Sequence, residues 1–351
     1  MCIICGFICH MTLLAVETSC DETSAAVIRA GRVLSNIVAS QIKLHAEYGG
    51  VVPELATREH LRNWQPVTEA ALRAAGIDAA QLDAVAATQG PGLPNALMIG
   101  LKAAQAFAFA LRKLFVGVNH HEAHLYSPWI SGNPPVADFA SFQPNVSLIV
   151  SGGHTMLVHV RAELEHVVLG STLDDAAGEC FDKVAKLIGL PYPGGPEMDR
   201  LAVEGNPATY DFPRPLLREA NDDFSFAGLK TSVRYFLQKN PALLDDAQKL
   251  RDLCASVQAA IVETLVTKTI RASRRLGVKC VTASGGVTCN RSLRTELDKA
   301  CQREGFELRL AERSLCTDNA AMIGVLAERK LLKNATATPL DAEIEPGWAL
   351  G

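Results

Sequence analysis

Three histidines crowd one glutamate in "NHHEAH" (119–124), and His120 and His124 stand four residues apart. On a helix that spacing turns both imidazoles to one face, where they can share a divalent transition metal. The order is not H-E-x-x-H, because Leu125 stands where the second histidine would have to be, so Glu122 is not placed as a zinc peptidase base. A third, hard ligand is then needed from elsewhere. "SLCTDNAAMIGVLAERK" offers Asp318, just before a helical pattern that starts at Ala320. Two histidines and one carboxylate leave coordination positions open, as a catalytic or substrate-binding metal requires. Plainer readings stand beside these: packed histidines for the pair, and an N-cap for Asp318.

Other polar groups sit where backbone amides could meet a ligand. "SLIVSGGHT" and "VTASGGVTCN" each end a β-rich run in a Ser-Gly-Gly turn, and such turns present N–H groups to phosphate or carboxylate oxygens. Gly90, Pro91 and Gly92 close another strand just before a helix. Asp174, Asp175, Glu179 and Asp182 fall along one helical pattern beside Lys183 and Lys186, which by itself reads as a solvated, ion-paired face. Asp182 differs, being flanked by Phe181 and followed by the turn at Gly194 and Gly195, so it could accept hydrogen bonds from a hydroxylated ligand. Lys230, Arg234, Lys239, Arg271, Arg274 and Arg275 give basic helix surfaces that could touch a phosphate backbone.

The elements that must position these residues follow from periodicity. "TLLAVETSCDETSAAVI" (12–28) and "VSLIVSGGHTMLVHV" (146–160) both read as hairpins, and their spacing suggests an internal duplication with one hairpin opening each domain. Amphipathic helices alternate with strands between them, which argues for α/β layers. With 351 residues, two domains are the natural expectation: 12–140 carrying the histidine pair and 141–330 carrying the second hairpin and Asp318. Residues 131–145 read as an exposed loop and 331–351 as a tail. Met11 opens directly on a strand, so 1–11, with the C-x-x-C of Cys2 and Cys5, reads as an N-terminal extension. The net charge of −4 supplies no global field for nucleic acid or anionic membrane. Ten cysteines scattered through apolar or glycine-rich segments, without a signal peptide, point to a reduced cytoplasmic enzyme.

Taken in order, "ETSCDETS" (17–24), "GGVVPELATREH" (49–60), "TQGPGL" (88–93), "HHEAH" (120–124) and "SGGHT" (151–155) resemble the TsaD (Gcp, YgjD) family. "DDAAGECFDKVAKLIGLPYPGGP", "FSFAGLKT", "SGGVTCNRSLR" and "TDNAAMI" continue the resemblance to residue 323. It implies an α/β, actin-like/Hsp70-like ATPase (ASKHA) fold with two similar domains around a central cleft. It also implies an activity: transfer of threonylcarbamoyl from threonylcarbamoyl-AMP to N6 of the adenosine 3′ of the anticodon, in tRNAs reading ANN codons. By the same resemblance His120, His124 and Asp318 hold the metal, Fe(II) before Zn(II). Ile149, Val150, Ser151, Gly152, Gly153, Asp182, Gly195, Asp199 and Asn290 would hold the adenylate, and the partners would be a TsaB-like paralogue and a TsaE-like ATPase. Asn95 and Ala123 depart from the family pattern without removing a ligand.

Within that reading His121 takes no metal role, Glu122 orients an imidazole, and Asp21 or Glu22 removes the amine proton. Three alternatives compete with it. A metallopeptidase would need a glutamate base in H-E-x-x-H order. A small-molecule kinase or ATPase of the same fold would not need the two histidines and Asp318, and a degenerate scaffold would not keep them together with both Ser-Gly-Gly turns.

Overall fold

The computed structural model describes residues 11–333 and 336–351, so the expected extension, with Cys2 and Cys5, lies outside the described residues except for Met11. The chain forms two compact units. One takes the chain up to Phe142 together with Asp318–Leu350, and the other takes Gln143–Thr317.

In the first unit, β1 (Thr12–Glu17) and β2 (Glu22–Arg29) are the antiparallel hairpin read from the sequence, and β3 (Arg32–Ser40) extends it. β1 is buried along its whole length, because β4 (Ala84–Gly90) and β5 (Leu114–Asn119) stack parallel on its far side and helices cover the sheet. α1 (Ile42–Ala46) and α2 (Pro53–Ala75) follow β3, and α3 (Pro94–Leu111) links β4 to β5. α2 starts on Pro53, where the missing N–H costs nothing, and ends on Gly76 in the left-handed conformation. The short α4 (His120–Tyr126) springs directly from the end of β5. The loop expected over 131–145 contains a small hairpin, β6 (Ile130–Ser131) with β7 (Val136–Ala137), added to the β3 edge.

The second unit repeats the plan. β8 (Asn145–Val150), β9 (Thr155–Ala162) and β10 (Glu165–Ser171) form an antiparallel meander, while β11 (Cys280–Ser284) and β12 (Glu307–Leu310) lie parallel to β8. The sheet orders are β5-β4-β1-β2-β3, with β7 and β6 beyond, and β12-β11-β8-β9-β10. Each order places two later parallel strands on one side of an opening hairpin, so the duplication suspected from two short motifs extends to whole sheets. Around the second sheet pack α5 (Ala177–Leu187), α6 (Gly194–Ala202), α7 (Ala227–Lys239), α8 (Ala247–Leu276), α9 (Arg291–Glu304) and α10 (Arg313–Cys316). α8 is long and apolar enough to cross a membrane by composition, but 83% of its apolar window is buried in this unit, where Leu253, Val257, Ile261 and Leu265 join the core.

The return of the chain corrects two expectations. α11 (Ala320–Leu332) packs on β1, β2 and β3, so Asp318 belongs with the first unit and not with the second domain. The expected tail is also built into that unit. Thr338 N–H donates to Phe115 O, Glu345 N–H to Gln89 O, and Lys102 Nζ to Ala342 O. A Cβ on Gly90 would lie 1.9 Å from Glu345 O, so only glycine lets this strap close against β4. The segment lacks periodicity because its backbone pairs largely with strand ends and side chains, apart from two local turns closed by Ala342 N–H to Pro339 O and Trp348 N–H to Glu345 O.

Candidate metal centre and phosphate-holding turn

Asn119 ends β5 and caps α4, its Oδ1 accepting from Glu122 N–H at 3.1 Å. That cap starts the helix at His120, and one turn brings His124 beneath it with ring centroids 4.8 Å apart. The carboxylate comes from 194 residues away. Asn319, not Asp318, caps α11 by accepting from Met322 N–H, while Ser24 Oγ and Asn36 Oδ1 take the N–H groups of Ala320 and Ala321. Asp318 is thereby freed from capping and held at the positive end of the helix dipole. His120 Nε2 and His124 Nε2 both lie 3.3 Å from the same Asp318 Oδ1, and one donor atom from each of the three residues fits within 4.8 Å.

This donor set suits a divalent transition ion. It offers two imidazole nitrogens and one carboxylate oxygen, converging and mostly buried, with too few protein ligands to fill a coordination shell. The electrostatics also suit a cation. Burial pushes the His120 pKa down, but the facing Asp318 and Glu17 carboxylates outweigh it and hold that pKa well above the usual histidine value. Burial likewise penalises the Asp318 charge, yet His120 and His124 hold its carboxyl well below the ordinary range.

One expected role changes. Glu122 does not orient an imidazole; its Oε2 pairs with Lys330 Nζ at 2.6 Å, tying α4 to the last turn of α11. The carboxylate that does reach a ligand is Glu17, which accepts from His120 Nδ1 at 2.9 Å. Asp21 and Glu22 are nearly buried at the start of β2, in the unit that carries the histidines. Burial, the neighbouring Asp21 charge and its hydrogen bond hold the Glu22 carboxyl well above its usual pKa, which Ser40 Oγ only partly offsets.

In the second unit, the 151–153 turn joins β8 to β9. Ile149 and Val150 lie within β8, buried, and aim the turn. Ser151 N–H donates to His154 O at 2.8 Å, so it is not free for a ligand as the sequence suggested. Gly152 and Gly153 are exposed, and no acceptor among the described residues takes up their N–H groups. α5 begins directly behind. Gly178 N–H donates to Ser151 O, and a Cβ on Gly178 would come within 2.4 Å of that oxygen, so the helix N-terminus can approach this turn only as glycine.

Asp182, on α5, accepts from Gly194 and Gly195 N–H at 2.7 and 3.1 Å through Oδ1 alone, leaving Oδ2 available. Burial raises its pKa, and the two amides oppose that shift. Asp199 and Asn290 are committed internally. Asp199 holds Arg291 (Oδ2 to Nε, 2.9 Å), while Asn290 caps α9 through Leu293 N–H and donates to Gln258 Oε1 at 2.6 Å. Gln258 and Arg291, which the sequence did not single out, line with Asp199 a groove of about 500 Å³ between α6, α8 and α9.

The acidic run does not form one helical face. Asp174 precedes α5 and holds the start of α7 through Ser225 Oγ and the N–H groups of Phe226 and Ala227, and Asp175 pairs with Lys183 and Lys230. Most of the basic candidates are also engaged: Arg274 with Glu304, Arg275 with Asp222, and Arg271 with the Leu217 and Asn221 carbonyls.

Similarity to known proteins gives the family of the chain. The family model for TsaD, described as tRNA N6-adenosine threonylcarbamoyltransferase, matches residues 32–325. A curated tRNA N6-adenosine threonylcarbamoyltransferase from Geotalea uraniireducens (strain Rf4) is 52% identical over 341 residues, 97% of each chain. One of the same name from Geobacter metallireducens is 52% identical over 316 residues, 90% of each chain. Among solved structures, T. kodakarensis HypF aligns with a TM-score of 0.61 at 14% identity, over 93% of this chain and 48% of that one. Component A of the Acidaminococcus fermentans (R)-2-hydroxyglutaryl-CoA dehydratase aligns with a TM-score of 0.54 at 13% identity, over 91% and 98%. At such identities these likenesses speak for fold alone, and the fold is the actin-like, Hsp70-like ATPase (ASKHA) α/β fold.

Proposed function

Because the chain belongs to the TsaD family, and is thus a tRNA N6-adenosine threonylcarbamoyltransferase, we propose a threonylcarbamoyl-AMP donor and a metal at His120, His124 and Asp318. Fe(II) is the metal of choice, with Zn(II) as the alternative. The observation that carries this reading is the convergence of two imidazole nitrogens on one Asp318 oxygen, at 3.3 Å each. A metallopeptidase would need a glutamate base beside the histidines, and Glu122 is instead paired with Lys330.

The target is N6 of the adenosine 3′ of the anticodon in tRNAs reading ANN codons. A bound ion supplies a Lewis acid with open positions, able to orient and polarise the donor carbonyl. In the second unit, Gly152 and Gly153 N–H, with the α5 N-terminus behind them, hold the donor phosphate and the charge that grows as AMP leaves. Asp182 Oδ2 receives ribose hydroxyls, and Gln258 keeps Asn290 in place. N6 attacks the carbamoyl carbon, the bond from that carbon to the phosphate oxygen breaks, and the N6 proton passes to the Asp21–Glu22 pair. No covalent enzyme intermediate is needed. The enzyme works in the cytoplasm and without a membrane, as a tRNA substrate supports, together with a TsaB-like paralogue and a TsaE-like ATPase.

The test is reconstitution. The purified protein is incubated with those partners, a threonylcarbamoyl-AMP synthase, unmodified tRNA, threonine, bicarbonate and ATP, and the digested tRNA is analysed by mass spectrometry. The threonylcarbamoylated nucleoside is expected with the wild type, and its absence with active partners overturns the reading. His120→Ala should lose both bound metal and transfer.

A further inference from the structure

Glu17 closes β1, a strand otherwise made of apolar residues and threonine, and its carboxylate is completely buried. A buried carboxylate persists only with donors around it, and Glu17 has three. Thr88 Oγ1, from the neighbouring strand β4, donates to Oε2 at 2.6 Å, and the backbone N–H of Ser19 donates to Oε1. The third is His120 Nδ1, 2.9 Å from Oε2. A carboxylate on Nδ1 fixes that nitrogen as the protonated one. With an ion bound, the opposite nitrogen, Nε2, would be the one to present its lone pair, on the side where Asp318 lies 3.3 Å away, and the ring cannot turn without breaking the bond to Glu17.

We propose that Glu17 is a positioning residue that sets the metal affinity of His120, acting through the imidazole without touching the ion. The inference rests on the metal reading given above. Two further observations support it. The carboxylate on the histidine helix itself, Glu122, is taken by Lys330, so Glu17 alone among the acidic side chains described here has a hydrogen bond to Nδ1 of a histidine in the set. Charge points the same way: with neutral histidines, Asp318 and Glu17 together carry two negative charges, which a divalent ion balances in a buried site.

The test uses the full-length chain stripped with a chelator and titrated with Co(II) and Zn(II) against a chromophoric competitor, with circular dichroism to report folding. The wild type should take one ion per chain. Glu17→Gln keeps the size of the side chain and removes its charge; it should bind about 10- to 100-fold more weakly, the usual effect of losing such a partner, and shift the Co(II) visible bands. Thr88→Val, which removes one donor from Glu17 and leaves the histidine untouched, should weaken binding in the same direction by a smaller factor. A role confined to packing would leave the Co(II) spectrum unchanged. If the wild type binds no divalent ion, the metal reading falls and this inference with it. If the wild type binds and Glu17→Gln matches it in affinity and spectrum, only the Glu17 inference falls. Should Glu17→Gln fail to fold, Thr88→Val decides, and unchanged affinity and spectrum overturn the role.

Discussion

Asp182 commits one of its two oxygens to structure, and the other is the one we propose for the donor. Oδ1 takes both Gly194 and Gly195 N–H, which holds the start of α6, and Oδ2 keeps its acceptor capacity. Asp182→Asn can keep an oxygen on the two amides while replacing the second acceptor by a donor. Hydrogen bonds to a charged group contribute about 1.5–3 kcal/mol, so the KM for threonylcarbamoyl-AMP should rise roughly ten- to a hundredfold, with metal content unchanged. Steady-state kinetics with metal analysis checks this, and loss of metal together with donor affinity would refute the division of labour. At this scale the residue types were readable and their bonding was not. Asp318 and Asn319 are both good caps, and a shift of one residue decides which is free for the histidines. Glu17 was invisible because its partners, Thr88 and His120, lie 71 and 103 residues away. The one available signal was a charged residue ending a strand of buried apolar type.

The joint between α5 and α7 hangs on Asp175, which bonds Lys183 at 2.8 Å and Lys230 at 2.7 Å. Burial raises its pKa, but the two lysines outweigh that and leave the carboxyl below its ordinary value. A carboxyl with a depressed folded-state pKa contributes stability above its unfolded pKa of about 3.9 and loses it as pH falls through the folded value. Asp175→Asn should therefore cost about 1 kcal/mol near neutral pH, given how exposed Lys183 is. The difference in urea midpoint should stay level down to about pH 5 and close below pH 4; a gap that persists in acid would place the effect elsewhere. The hairpins, α2, α3 and α8 were legible because their periods are local. The run from Asp174 to Asp182 misled because two of its carboxylates precede the helix and face α7, a pairing that spacing along one helix cannot reveal. The strap at 336–350 carries no period at all, since strand ends and side chains from β4, β5 and α3 take its hydrogen bonds.

At the scale of the chain, the path is more discontinuous than a reading from left to right allows: it leaves the first unit at Phe142, builds the second, and returns at Asp318. Only contacts made after folding assign α11, because its apolar pattern would fit either sheet equally well. This return would have a thermodynamic consequence, since the metal proposed between α4 and the residue before α11 would join two segments that the sequence separates by 194 positions. An ion that binds only the folded state stabilises it by RT ln(1 + [M]/Kd), about 2.7 kcal/mol at a hundredfold excess over Kd. For a folding unit of this size each kcal/mol moves the unfolding temperature by roughly 2–4 °C, so chelation should lower it by several degrees. The loss should also be localised. Hydrogen exchange of the stripped protein is expected to speed up over His120–Tyr126 and around Asn319–Met322, while the strands β8 to β12 keep their protection. Unchanged exchange at both segments, or a uniform rise through the second unit, would show that the ion is not held by these three side chains.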